Sequence, residues 1–201
     1  MNGLHFTHYS AAASRQYRSV VEDIYRRSYR EAIDSGHTFD SPEAFMHRFD
    51  AYTDPTRESG IELVIVYLND VSIGQTWGWP LTPNTAWWDG LTLDGPLAAN
   101  GDFIRESGTR TFALSEIMVD QSYAGRGLAH RLHDELLAGR TEDRATLLVE
   151  PENDRAYAAY RRWGWARVGR LTPSWPDAPT FDVLLMALAS RNTTIRGAAS
   201  T

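Results

Sequence analysis

The chain reads as a mixed α/β fold of the α+β type: a mostly antiparallel sheet of six or seven strands, helices on both faces, and a central β-α-β-α unit. Three observations predict it. Two β-branched, aliphatic runs, residues 61–68 and 71–79, are separated only by Asn69-Asp70, which marks an antiparallel hairpin. Residues 111–163 alternate strand and helix patterns, with glycines at 125, 127, 139 and 164 near the junctions. With 42% hydrophobic residues in 201, the chain can bury one sizeable core.

In chain order, residues 4–9 form the first strand, and two helices follow. In the first, Val20, Val21, Ile24, Tyr25, Ser28 and Ala32 recur at helical spacing among charged residues. The second opens with Ser41 as N-cap, Pro42 at the first helical position and Glu43 in the first turn, and carries Phe45 and Phe49 one turn apart. Both are expected to lay one face on the sheet. Pro80 ends the hairpin. Residues 80–108 are rich in Pro, Gly and Asn yet hold Trp87, Trp88, Leu91, Leu93 and Phe103, the pattern of an insertion ordered by aromatic packing with room for short helices. A strand at 111–119, a helix at 125–138 closed by Gly139, a strand at 145–150, a helix at 153–163 closed by Gly164, and strands at 165–171 and 181–188 complete one domain, residues 1–189. Residues 190–201 have few apolar side chains and read as a tail.

Composition excludes several functions. With no cysteine there are no disulfides, thiol nucleophiles or thiolate metal sites. His130 and His133 lie three apart on a helix and read as a solvated polar face, so no metal is expected. A net charge of -6 argues against a nucleic-acid partner and is compatible with a cationic amine. No run approaches the roughly 18 apolar residues of a membrane span, and no basic segment followed by an apolar one opens the chain. The expectation is a cytoplasmic protein without a membrane partner. Exposed sheet edges make a homodimer reasonable.

The stretch from Ser115 to Ala129 carries the strongest functional signal: an apolar strand, a polar turn, glycines at 125 and 127, then an amphipathic helix. Glycines there let backbone N–H groups converge at a helix N-terminus, where the dipole also favours an anion. A phosphate-bearing cofactor is the expected ligand. A Walker loop would end in Gly-Lys-Ser/Thr, and none is present. A dinucleotide fold fits less well, because His130 stands where its third glycine belongs and no further β-α-β units follow.

Glu116-Ile117-Met118-Val119 followed by Tyr123-Ala124-Gly125-Arg126-Gly127-Leu128-Ala129 resembles the GNAT superfamily of acyl-CoA-dependent N-acyltransferases. So does the downstream run from Asn153 through Ala156, Tyr157 and Tyr160 to Gly164-Trp165, in the expected order. The match is strong over roughly residues 110–170. The resemblance implies that amides around Gly125 to Ala129 hold the pyrophosphate of acetyl-CoA. It also implies that the strand ending in Ile117, Met118 and Val119 offers backbone groups to the pantetheine arm, with Asn153 and Ala156 supporting it from the next helix. Ala124 departs from the family's usual Gln or Arg, which leaves more of the affinity to Arg126 and the backbone.

Acyl transfer from a thioester to an amine needs a neutral amine, a stabilised oxyanion and a proton for the departing thiolate. By the resemblance Tyr160 would supply that proton, whereas Tyr157 reads as a core residue. Glu116 is the candidate base: it alternates with Leu114 and Met118 on an apolar face, where burial raises a carboxyl pKa. A backbone N–H near residues 117–119 would meet the oxyanion. Trp77, Trp79, Trp87 and Trp88 cluster where the family places its acceptor, as a cation–π wall or as core filling. The expected activity is N-acetylation of a primary amine on a small molecule. A non-catalytic acyl-CoA-binding module is the alternative, and a dinucleotide-binding oxidoreductase a more distant one.

Overall fold

The computed structural model describes residues 3–57, 60–174 and 178–188. The tail expected from residue 190 lies outside them. Strand β1 (Leu4–Ser10) runs into a short helix α1 (Ala11–Ser14), then α2 (Arg18–Ser28), α3 (Arg30–Asp34) and α4 (Pro42–Tyr52). The helical pattern running through Ala32 breaks at Tyr29, whose φ of -111° and ψ of 25° end α2 and start α3. Helix α4 starts as expected: Ser41 Oγ accepts from the Ala44 N–H at 3.1 Å, with Pro42 in the first turn.

Strands β2 (Glu62–Leu68) and β3 (Val71–Pro80) form the hairpin, and Asn69 and Asp70 both adopt positive φ, as a type I′ turn requires. The insertion contributes a short strand β4 (Leu91–Leu93), followed by β5 (Thr111–Val119), α5 (Leu128–Leu137), β6 (Arg144–Val149), α6 (Asp154–Arg162), β7 (Ala166–Leu171) and β8 (Phe181–Ala187). The sheet has eight strands in the order β1-β2-β3-β5-β6-β8-β7-β4, all pairs antiparallel except β5–β6. The sequence pattern predicts six or seven. The additional strand is β4, three residues that add to the edge at β7, which apolar periodicity inside a Pro/Gly-rich segment is too short to announce.

Both faces of the sheet are covered, so β2 reads as an unbroken hydrophobic run rather than an alternating one. Leu63 and Ile65 pack under α2 and α4 with Val21, Ile24, Phe45 and Phe49; Val64 and Val66 pack under α5 with Leu128, Leu132 and Leu136. These α5 leucines are buried, each contributing on the order of 2 kcal/mol. The insertion is tied down by a buried carboxylate. Glu106 Oε1 accepts from Trp88 Nε1 (3.1 Å), Thr111 Oγ1 (2.8 Å) and Arg144 Nη2 (3.1 Å), joining the insertion to the starts of β5 and β6.

Candidate active site

The site begins where the sheet fails to close. β5 and β6 pair only at Thr111–Arg144, Phe112–Ala145 and Ala113–Thr146, and beyond them the strands separate. A bulge in β5 accounts for the divergence: Gly78 faces Leu114 and Trp77 faces Glu116, leaving Ser115 as an extra residue that bends and twists the strand. Only glycine fits opposite it, because a Cβ on Gly78 would stand 2.2 Å from the Ala113 carbonyl oxygen. From residue 114 to 119 β5 therefore has β3 on one side and no strand on the other.

The bulge also corrects the expected alternation. A period of two puts Leu114 and Met118 on one face with Glu116, but Leu114 packs under α5 while Met118 packs under α2 and α4. The inserted residue reverses the pattern, so Glu116 points to the α2/α4 side with Met118 and its cross-strand neighbour Trp77. There it is deeply enclosed, keeping partial solvent access. Burial raises the phenol pKa values of Tyr25, Tyr29, Tyr52 and Tyr160, and the Glu116 charge adds to the rise in each. No hydrogen-bond donor among the described residues reaches the carboxylate. Burial pushes its pKa up to about 7, and Arg48 offsets part of the rise. Arg48 is itself held by the Phe39 carbonyl at 3.0 Å and lies 4.1 Å over the Phe39 ring.

The split opens into a cleft of about 610 Å³, which Ser28 and Tyr29 reach from the α2 side. Its walls include Ile117, Met118 and Val119 of β5, the loop residues Ala124, Gly125 and Gly127, Leu128 and Ala129 of α5, and Asn153, Ala156 and Tyr160 from α6 and its cap. These predicted cofactor residues thus meet in one place; Arg126 is exposed beside them, its guanidinium 5.2 Å over the Tyr123 ring. The loop is anchored at Asp120, which accepts from the Ser122 N–H at 2.8 Å and from Arg27 of α2. Gly125 and Gly127 have φ of 76° and 75°, and a Cβ added at either would meet nothing within 4 Å, so they serve conformation rather than clearance. Gly127 caps α5 without a side chain, leaving the first-turn N–H groups free to meet an anion. Asn153 does cap α6, its Oδ1 accepting from the Ala156 N–H at 3.1 Å. An uncapped helix start, an unpaired strand flank and an open glycine concavity suit an extended diphosphate ester.

Tyr160 lines the cleft on the α6 side, and burial together with the Glu116 charge holds its pKa far above the ordinary phenol value. Tyr157 is half-buried, packs against the core on this face of the sheet, and does not line the cleft, in keeping with a structural role. The tryptophans divide. Trp77 sits between Phe45 and Phe49 at 5.5 and 5.4 Å, beside Glu116; Trp79 packs on Tyr52 at 4.4 Å and Trp87 edge-on to Trp79 at 5.9 Å. Trp88 belongs to the Glu106 anchor and packs on Phe103. None of the four lines the cleft.

His130 fits the predicted polar face: it is exposed and stacks on Trp163 at 4.8 Å. His133 does not. It is buried, its Nδ1 donating to Asp134 at 2.8 Å and its Nε2 accepting from Trp165 Nε1 at 3.0 Å, and burial lowers its pKa. His130, His133 and Asp134 present ligand atoms within 4.8 Å of one another. Both His133 nitrogens are engaged, which ties α5 to Trp165 just before β7.

Sequence reading misses the tyrosines around Glu116 and the role of Arg48. Tyr25 belongs to the helical stripe, but which strand residue it faces depends on the bulge. A second cavity, about 620 Å³, lies near this chamber and is lined by His37, Phe39, Asp40, Glu150, Glu152 and Arg170 among others.

Comparison with known proteins places this geometry. The acetyltransferase (GNAT) family profile matches residues 20–165, and the chain belongs to that family. Solved structures share the fold. An acetyltransferase from Thermus thermophilus has a TM-score of 0.60 at 13% identity, covering 92% of this chain and 97% of that one. The PaiA N-acetyltransferase of Thermoplasma acidophilum, in complex with coenzyme A, has 0.55 at 8% identity (92% and 98%). A GNAT acetyltransferase of Elizabethkingia anophelis with acetyl-CoA bound has 0.57 at 11% (94% and 100%). An uncharacterized protein of Mycobacterium leprae is 37% identical over 75 residues, 37% of this chain and 21% of that relative, so the match spans about a fifth of its length. No helix among the described residues is long and apolar enough to cross a membrane.

Proposed function

We propose that this chain moves an acetyl group from acetyl-CoA to the primary amine of a small cationic molecule, by direct attack and without a covalent enzyme intermediate. The observation that carries the reading is the cleft at the β5–β6 split, where the diphosphate loop, the open flank of β5 and Tyr160 line one concavity, with the Glu116 charge adding to the burial that raises the Tyr160 pKa. Bound acetyl-CoA would supply the thioester carbonyl. Loop amides from Gly125 to Ala129 hold its diphosphate, the open flank of β5 at residues 117–119 lines its arm, and Asn153 supports it from α6.

Glu116, titrating near neutrality, takes a proton from the incoming ammonium, and the freed amine attacks the carbonyl carbon. A β5 amide facing the split meets the developing oxyanion. As the C–N bond forms and the C–S bond breaks, Tyr160 gives its proton to the departing sulfur, and the surplus proton shed by the new amide nitrogen returns the phenolate to its neutral form. The two groups are coupled in the useful direction. When Glu116 gains a proton its charge vanishes, and with it one cause of the raised Tyr160 pKa, so Tyr160 becomes a better acid as it is needed.

A cationic acceptor is supported by the acid-rimmed second cavity. Glu150 is raised by burial and by Asp40 and Glu152 beside it. Tyr25 links this rim to Glu116: its hydroxyl donates to the Asp40 carbonyl at 2.9 Å, its ring stacks on Tyr29 at 5.1 Å, and both phenols feel Glu116. The test is acetyl-CoA-dependent thiol release with a panel of primary amines. Faster turnover of amines that carry a second cationic group supports the reading. Acetyl-CoA binding with no thiol release from any amine overturns it in favour of a non-catalytic binding module.

A further inference from the structure

Arg155 and Arg162 line the cleft from α6, both exposed, and neither makes an ion pair, hydrogen bond or ring contact among the described residues. Elsewhere the guanidinium groups near carboxylates are taken: Arg27 by Asp23 and Asp120, Arg140 by Glu62 and Glu142, Arg144 by Glu106, Arg167 by Asp94 and Asp182. Acidic residues outnumber basic ones by 26 to 20, so a bare arginine pair on one wall of a concave site reverses the molecule's charge locally. Seven residues apart, the two lie on one stripe of α6, about 10.5 Å apart along its axis, so two long side chains can converge on one anion.

The diphosphate cradle is built of backbone on another element, the loop before α5, and does not need these side chains. Helix α6 nevertheless reaches that loop: Trp163, next to Arg162, stacks on His130 in the first turn of α5. An anion held by α6 therefore lies beside the diphosphate and is additional to it. We propose that Arg155 and Arg162 bind the 3′-phosphate on the ribose of coenzyme A, so that the protein selects coenzyme A over its 3′-dephospho form. This inference rests on the acyl-CoA reading of the cleft.

Calorimetric titration of coenzyme A and 3′-dephospho-coenzyme A tests it on the wild type, on Arg155→Gln/Arg162→Gln, and on Arg161→Gln. Arg161 is an exposed neighbour that does not line the cleft. The expected result is a preference of about tenfold for coenzyme A in the wild type. That preference persists in Arg161→Gln and disappears in the double variant, whose affinity for the dephospho form is unchanged. Equal binding of both compounds by the wild type, survival of the preference in the double variant, or an equal loss in Arg161→Gln overturns the assignment while leaving the cleft an acyl-CoA site. Failure of both compounds to bind the wild type overturns the acyl-CoA reading as well.

Discussion

Replacing Glu116 with Gln removes a carboxylate that the fold holds at a cost, so the variant is expected to be more stable than the wild type above neutral pH and almost inactive. The unfolded chain ionises this group near 4.5 and the folded one near 7. Between those values the folded state binds the extra proton, so the contribution of Glu116 to stability is largest below pH 4.5 and falls as pH rises to about 7. At ~1.4 kcal/mol per pH unit, the loss amounts to about 3 kcal/mol, complete once Glu116 is ionised. Gln carries no such dependence. For a chain of this size, about 3 kcal/mol corresponds to a melting temperature roughly 6–12 °C higher for the variant at pH 8. Thermal melts of both proteins from pH 4.5 to 8.5 measure it, and the difference between them isolates this one carboxyl group from every other titration. The gap should open with rising pH and be near zero at the acid end. A gap that is flat with pH, or a Gln variant less stable than the wild type at pH 8, refutes the placement of an unpartnered carboxylate in this chamber.

Three further outcomes follow from the geometry. Tyr160→Phe should bind acetyl-CoA as the wild type does by calorimetry while its kcat falls by about 10²- to 10⁴-fold, and unchanged turnover removes the acid role. Gly127→Ala forces a side chain into φ of 75°, at a cost of roughly 1–2 kcal/mol, and should weaken acetyl-CoA binding measurably in the same titration. Trp88→Phe loses the hydrogen bond to Glu106 and should lower the melting temperature by several degrees, about 1–3 kcal/mol, with kcat/KM for any accepted amine unchanged; a specific loss of activity would return Trp88 to the acceptor site.

The cofactor half of the site is legible in the sequence because its chemistry imposes local constraints. Gly125 and Gly127 are needed for positive φ at adjacent turns, and Asn153 is needed as a cap, so each leaves a mark within a few residues. The acceptor half is not, because it depends on register. The bulge at Ser115 exists through a cross-strand contact with Gly78, 37 positions earlier in the chain, and a simple period of two assigns Leu114 to the wrong face. Tyr25 and Tyr52, on α2 and α4, and Tyr29, at the end of α2, look like ordinary core positions until the strand beneath them is turned to present Glu116. Trp88 misleads for a related reason: its aromatic neighbours suggest a pocket, and its partner Glu106 declares itself only once the insertion has folded back. His133 follows the same logic, its apparent exposure on α5 cancelled by Trp165 from the far side of α6.

All 20 basic residues of the chain are arginine, so the protein offers no lysine ε-amine of its own to acetylate, and assays of acyl transfer are free of that background. The most direct test of the account is a crystal structure of the protein soaked with acetyl-CoA. The diphosphate should lie on the N–H groups of Gly125 to Ala129 and the thioester in the split between β5 and β6, with its sulfur within hydrogen-bonding distance of the Tyr160 hydroxyl. Acetyl-CoA bound elsewhere, or with its thioester outside that split, contradicts it.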